Sequence, residues 1–428
     1  MARNEASIAQ SIDWLTVFLY AACVIVGLFN VYASVYNPEE QTKLFDLSNR
    51  AGKQAMFAAT SVLLITAILV IDHKFWEALA PIIYGVCIFM LLATLVLATD
   101  IKGSRSWIRY GSFQIQPAEF MKIGLALMLA KFISQPSVNL TKWRDQLSVA
   151  GLVLLPAVLI LASKETGLTL VFAAFVIVFY REGLPGIYPA LLLTVIGLFL
   201  CALFFSKLYI FAGLLLGALL IYWVIIPRYD RTRKNAINIS VIFGLMAFFV
   251  TSVDFIIKHV LQPHMRRRIQ VLVDPKVDPT GIGWNVIQSK IAVGSGRLWG
   301  KGFLDGTQTK FDFVPEQDTD FIFCTIGEEH GFVGSAAVVL IFVGLICRIV
   351  SLAEKQRTRF ARIYGYSVAS ILFFHFLVNI GMTIGLMPVI GITLPFFSYG
   401  GSSLWTFTIL LFIFLKLDAQ RPFTLSRA

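Results

Sequence analysis

Apolar residues run in long blocks through almost the whole chain, broken by short polar links. Blocks close to the 17–25 residues that a helix needs to cross hydrocarbon lie near 14–34, 55–72, 79–98, 117–135, 148–163, 167–181, 187–206, 209–226, 237–258, 320–347, 363–386 and 402–417. They predict an all-α polytopic membrane protein, a bundle of about 12 transmembrane helices. The blocks 148–163 and 167–181 are short and parted only by a Lys-Glu-Thr break, which suits helices that meet at a polar cavity. One stretch departs from the pattern. Residues 259–319 form a long polar loop rich in charges and glycines, set in an otherwise oily chain.

Composition sharpens this picture. Of 428 residues 57% are hydrophobic and 14% charged, against about 25% charged in soluble domains, which excludes a soluble enzyme. With no visible repeat or linker, residues 1–428 read as a single membrane domain. The first thirteen residues are mostly polar and the block that follows is long enough to stay in the bilayer, so it reads as a span and not a signal peptide. Cys23, Cys87, Cys201, Cys324 and Cys347 have no paired spacing and read as small packing residues. The net charge of +11 is met by anionic lipid, with no need for nucleic acid.

Charge also sets sidedness. With both termini cytoplasmic, the inner segments hold Lys131, Lys142 and Arg144, then Arg228, Arg231, Arg233 and Lys234, then Arg348, Lys355, Arg357, Arg359 and Arg362, with Lys416, Arg421 and Arg427 in the tail. The outer link 387–401 has no cation, as the positive-inside rule expects. Loop 259–319 is then extracytoplasmic, although it carries Arg266, Arg267, Arg268, Lys276, Lys290, Arg297, Lys301 and Lys310. Those cations call for an anion.

The loop has the strongest candidate chemistry. Asp274 and Asp278 each precede a proline, and Gly281 and Gly283 follow. Proline fixes its own φ and pushes the residue before it toward extended backbone, so Asp-Pro-Thr-Gly-Ile-Gly is a turn that aims a carboxylate. A solvated Asp-Pro turn fits the same local pattern. Arg268 upstream, Gln288, Ser289 and Lys290 on a short helix, and Gly294, Gly296, Gly300 and Gly302, which allow close backbone approach to a ligand, favour a site. One carboxylate among cations suits group transfer from a phosphate leaving group: the base takes a proton from the attacking hydroxyl and the cations stabilise the departing charge.

Four further groups stand out. Glu119 and Lys122 share one face of the helix opened by Pro117, either as a mutual pair or as a pair facing substrate. Lys164-Glu165 places two charges on the outer side, where a local ion pair is the alternative to a functional carboxylate. The run 391–403, with Ser398 and Ser402, is a re-entrant turn or a tight connector. Glu328 and Glu329 sit two turns into the tenth span, behind acids that suit a helix start. The five histidines form no metal-ligand cluster; His375 lies within a span, placed to hydrogen-bond a neighbouring helix.

Taken in order, Asp-Pro-x-x-Asp-Pro-x-Gly, Gly-Thr-Gln at 306–308, Pro-Glu…Thr-Asp-Phe-Ile-Phe, Gly-Glu-Glu-His-Gly-Phe-Val-Gly and Ser-Tyr-Gly-Gly-Ser-Ser make nearly the whole chain resemble the SEDS family (shape, elongation, division and sporulation). Asn379-Ile380-Gly381-Met382 with Gly385-Leu386-Met387-Pro388-Val389 and Gly391 resembles its elongation branch. The resemblance implies a peptidoglycan glycosyltransferase that polymerises lipid II and releases undecaprenyl diphosphate; a flippase of that lipid is the alternative. It implies Asp278 as the catalytic carboxylate, with Asp274 at most in support. Substrate-binding roles follow for Arg268, Glu119, Lys122 and Glu165, and for Gln288, Ser289, Lys290, Ser398 and Ser402. It implies no protein metal site, although a divalent cation (Mg or Mn) could screen the diphosphates. The implied partners are a class B penicillin-binding transpeptidase and elongation-complex membrane proteins in the bacterial inner membrane. The chain departs from the family in having Ser106 where relatives carry arginine, Ser163-Lys164-Glu165 for Gln-Pro-Asp, Thr393 for proline, and an extra hairpin at roughly 187–226.

Overall fold

The computed structural model describes residues 11–36, 44–101, 104–110, 113–261, 263–310 and 313–420. Arg421 and Arg427, and the first ten residues, lie outside them, as does the side chain of His264. The chain divides into two compact units, Met1–Pro185 with Trp284–Ala428, and Gly186–Gly283.

In the first unit the elements are α1 (Trp14–Val35), α2 (Arg50–Val70), α3 (His73–Leu97), strands β1 (Thr99–Ile101), β2 (Ser104–Tyr110) and β3 (Phe113–Ile115), α4 (Pro117–Ser134), α5 (Trp143–Ala162) and α6 (Thr166–Arg181). The second unit holds α7 (Ile187–Phe204), α8 (Lys207–Ile225), α9 (Arg233–Val260) and α10 (Pro263–Val273). α11 (Ile282–Ser295) leads back into the first unit, followed by α12 (Thr307–Lys310), α13 (Ile322–Glu354), α14 (Arg359–Thr383) and α15 (Gly401–Ala419). Among the described residues ten helices are long and apolar enough to cross a membrane. The other two of the twelve expected blocks are helices as well: α4, which carries Glu119, Lys122 and Lys131, and the shorter α6.

Helix starts follow the capping residues. The Asp13 side chain accepts from the Thr16 amide at 3.0 Å, Asn49 from Gly52 at 2.8 Å and Asp72 from Lys74 at 2.8 Å. Asp13 also accepts from the Arg348 guanidinium of α13. Burial raises the Asp13 carboxyl, but Arg348 and Thr16 outweigh it and hold its pKa at about 2. A depressed folded-state pKa stabilises above the usual value near 3.8 and loses that effect as pH falls toward 2. Asp13→Asn is therefore expected to lower the melting temperature in detergent at pH 7, and the gap to the native chain should close as the pH is taken below about 4.

Two features go beyond what the apolar blocks announce. In the link before α4, β2 pairs antiparallel with β1 (Thr99 opposite Trp107) and with β3 (Ile108 opposite Ile115), a short meander. Ser-Arg-Ser-Trp-Ile-Arg-Tyr has no clean apolar–polar alternation, so a strand only seven residues long is easily lost beside helical blocks. The stretch 259–319 is also nearly half helical, in α10, α11 and α12. α10 is amphipathic, with Arg266, Arg267 and Arg268 in its first turns, so its polar composition hid a helix.

The glycine-rich run after α11 also differs from expectation. Its closest approach is to the protein's own backbone. Helix α13 breaks at Gly331 (φ 63°, ψ −157°), and segment 297–302 fills the break. Lys301 and Gly302 donate to the carbonyls of Glu328 and Glu329 at 3.0 Å, while Phe332 and Val333 donate to Arg297 and Leu298 at 2.9 and 3.1 Å. Backbone groups that the kink would orphan are thereby satisfied. Buried Glu328 secures the clasp: it takes the Lys301 ammonium at 2.6 Å and the amides of Gln308 and Thr309 at 2.9 and 3.0 Å. A Cβ on Gly300 (φ +83°) would sit 2.0 Å from the Glu329 carbonyl oxygen, whereas one on Gly294 would meet nothing within 4 Å. Gly300→Ala should therefore cost at least about 2 kcal/mol of unfolding free energy. Gly294→Ala should be neutral or stabilising by up to about 1 kcal/mol, and denaturant melts of the two proteins compare them.

At the α2 start, Arg50 Nη1 grips both oxygens of buried Asp318 at 2.7 Å. Burial pushes the Asp318 carboxyl above its usual range, and Arg50 works against that.

Candidate active site

The second unit presents the aspartate turn. Asp274 is extended (φ −140°), its side chain accepts from the Lys276 amide at 3.0 Å, and Pro275–Val277 form a single 3-10 turn. Asp278 ends that turn, half-buried, and its Oδ2 accepts from the Ile282 amide at 2.9 Å at the start of α11. Its carboxylate folds directly over Gly281: a Cβ there would lie 2.6 and 2.8 Å from its oxygens. A Cβ on Gly283 would fall 2.1 Å from the Pro275 carbonyl oxygen. Gly283 is thus required by close approach of backbone, whereas a side chain at Gly281 would displace the Asp278 carboxylate itself. Among the described residues Oδ1 of Asp278 takes no hydrogen bond. Arg268 is partly buried on α10, in the same unit.

The first unit holds a chain of polar groups. Glu119 and Lys122, one turn apart on α4, pair at 2.6 Å and are almost wholly buried. Lys122 also lies 3.1 Å from His375 Nε2 and 4.4 Å from the centre of the Phe407 ring. Just before α4, the Gln116 side-chain amide donates to both oxygens of half-buried Glu165 at 2.9 and 2.8 Å, and the Ser106 hydroxyl of β2 donates to the same carboxylate. The Gln116 backbone amide donates to Ser402 Oγ at 3.2 Å, tying the start of α4 to the start of α15. Glu119, Lys122, Glu165 and Ser402 are therefore neighbours in one network, and Glu165 turns to Gln116 and Ser106.

The remaining expected residues sit apart from that network. Buried Ser289 donates to the Thr383 carbonyl at 2.9 Å at the end of α14, with buried Gln288 beside it on α11. Lys290 lies across Gly385 (φ +75°), where a Cβ would come within 2.7 Å of its Cε and 2.8 Å of its Nζ. Ser398 accepts from the Leu394 amide at 2.8 Å and donates to the Thr319 carbonyl at 2.6 Å, so its hydroxyl braces the connector from within. Asn379 donates to the carbonyl of Ile392 in the same connector and to that of Asp320 before α13. Sequence reasoning missed Ser106 and Gln116 as partners of the charged residues, although Gln116 had a local signal in its place directly before Pro117. His375 was expected to hydrogen-bond a neighbouring helix, and Lys122 of α4 is that partner.

The model of the cell cycle protein family of FtsW, RodA and SpoVE matches residues 13–422. The chain belongs to that family. A peptidoglycan glycosyltransferase RodA of Treponema pallidum is 30% identical over 96% of this chain and 98% of its own length. The peptidoglycan glycosyltransferase MrdB of Escherichia coli K12 is 34% identical over 81% and 79%. Among solved structures, a chain from a peptidoglycan synthase complex that coordinates polymerization and crosslinking aligns with a TM-score of 0.67 at 25% identity, covering 96% of this chain and 98% of that one. The rod shape determining protein RodA of Thermus thermophilus shares the fold, with a TM-score of 0.61 at 24% identity over 96% of this chain and 97% of that one. Within the family the likeness is to RodA, in line with the elongation wording of residues 379–391.

Proposed function

We propose that this multi-pass membrane protein is a peptidoglycan glycosyltransferase that polymerises lipid II into glycan strands during cell elongation. The observation that carries the reading is the Asp278 carboxylate. One oxygen is fixed by the Ile282 amide, the other is open to a proton, and the turn is closed over Gly283 with Gly281 leaving room for the carboxylate. A general base needs that combination of fixed direction and free lone pair. The curated relatives named for this activity support it.

In the proposed step Asp278 takes the proton of the 4-hydroxyl of the acceptor GlcNAc as that oxygen attacks the anomeric carbon of the donor MurNAc. The bond to the diphosphate breaks with inversion, and undecaprenyl diphosphate leaves with the electron pair. A diphosphate leaves as an anion and needs charge neutralisation more than a proton, so a single carboxylate suffices where glycosidases use two. Arg268 supplies positive charge in the same segment; Glu119, Lys122, Glu165, Ser402, Gln288, Ser289, Lys290 and Ser398 are assigned to substrate binding and its support. We assign no protein metal site; Mg or Mn carried in with the substrate would screen its diphosphate.

In this reading the protein sits in the bacterial inner membrane with both termini cytoplasmic and the Asp278 segment outside. Its proposed partners are a class B penicillin-binding transpeptidase and other elongation-complex membrane proteins. The test gives the purified chain lipid II in detergent, with and without the transpeptidase and with and without chelator. Glycan ladders are expected. A flippase would move the lipid across vesicles and make no polymer in detergent, where there is no membrane to cross.

A further inference from the structure

His375 is buried in α14, outside every role assigned so far, yet it touches Lys122, the most buried cation among the described residues. Its Nδ1 lies 3.0 Å from the carbonyl oxygen of Thr393. A carbonyl oxygen only accepts, so Nδ1 carries the proton. The other nitrogen, Nε2, is 3.1 Å from Lys122 Nζ. A proton on Nε2 as well would set an imidazolium against an ammonium inside the protein, so Nε2 presents its lone pair and accepts from Lys122. The Lys122 ammonium is thus held on three sides: by the Glu119 carboxylate at 2.6 Å, by His375, and by the face of Phe407 at 4.4 Å. His375 itself stands edge-on to the same ring, with centroids 4.8 Å apart. Thr393 is held in turn, its hydroxyl 2.8 Å from that of Ser403 on α15.

We propose that His375 is a positioning residue for glycosyl transfer. As the neutral ring protonated on Nδ1, it accepts from Lys122 and fixes that ammonium against Glu119, in the polar network that Gln116 and Glu165 continue. The inference rests on the reading that Lys122 serves this reaction, and it adds the device that holds it. Lys122 cannot leave this socket for a ligand without stranding Glu119 and His375. Its charge therefore acts from a fixed point, within electrostatic reach of Glu165, as preorganised sites require. Thr393 supplies only a backbone carbonyl to the ring, so the side-chain change there leaves the contact intact.

The test separates the two bonds of the ring. His375→Gln keeps an acceptor near the Nε2 position for Lys122. His375→Asn keeps a donor near Nδ1 for Thr393 but loses Lys122, and His375→Leu loses both. Polymerisation of lipid II by the purified full chain is expected within about threefold of native for H375Q, and lower by about ten- to a hundredfold in kcat, at similar KM, for H375N and H375L. The double variant K122M/H375L should be no slower than K122M, since both remove one contact. Nitrogen-15 NMR of the histidine-labelled native protein, with H375Q to assign the signal, should show a neutral ring protonated on Nδ1. This last measurement does not depend on activity, and H375Q has only to fold for the assignment. A proton on Nε2, or H375N as active as H375Q, overturns the proposal. Absence of glycan from the native chain counts against the polymerase reading instead, and the NMR spectrum still decides the contact.

Discussion

Asp278→Asn should lower the rate of glycan polymerisation by about 10²–10⁴-fold, the usual loss when a positioned base is removed. The substitution is nearly isosteric, and an asparagine oxygen still accepts from the Ile282 amide, so the turn before α11 survives. What disappears is the basic lone pair at Oδ1. The interaction is made only as the hydroxyl loses its proton, so the loss should fall on kcat. Asp274→Asn provides the contrast. That side chain accepts from the Lys276 amide and braces the 3-10 turn, a task asparagine performs equally well. Its activity should stay within about threefold of native. Equal losses for both substitutions would show that the turn, and not one carboxylate, matters.

The second large effect is on stability. Lys122→Met leaves the Glu119 carboxylate buried in the bundle without its cation, and removing one partner of such a pair costs about 3–5 kcal/mol. Folded proteins have about 5–15 kcal/mol in hand, so the melting temperature in detergent should fall steeply. The penalty comes from the stranded charge more than from the lost attraction. Glu119→Leu combined with Lys122→Met should therefore recover most of the loss while leaving the protein inactive. A double variant as unstable as Lys122→Met alone would mean that packing around α4, and not the unpaired carboxylate, sets the cost.

What could be read in advance follows physical range. Span periodicity and length are local properties, and every expected block, from 14–34 to 402–417, is a helix. The Asp-Pro-Thr-Gly-Ile-Gly turn was legible for the same reason: proline φ and glycine close approach act over a few residues. The pair of Glu119 and Lys122 follows from their spacing on one helix. Tertiary partnerships were not legible. Nothing near Ser106 announces Glu165, 59 positions away, and nothing near Lys122 announces His375, 253 positions away. The glycines after α11 show how one residue type serves two ends. They promised room for a ligand, and the room is filled by α13, whose kink at Gly331 becomes visible only when both segments are placed.

The account depends on one aspartate acting in the chemical step and not in holding substrate. Lipid II affinity and polymer yield, determined together on a single preparation of the Asp278→Asn protein, separate those roles. Affinity should stay within about twofold of native while yield drops below about one hundredth. Polymer at close to native yield, or a fall in affinity large enough to explain the missing polymer, would contradict it.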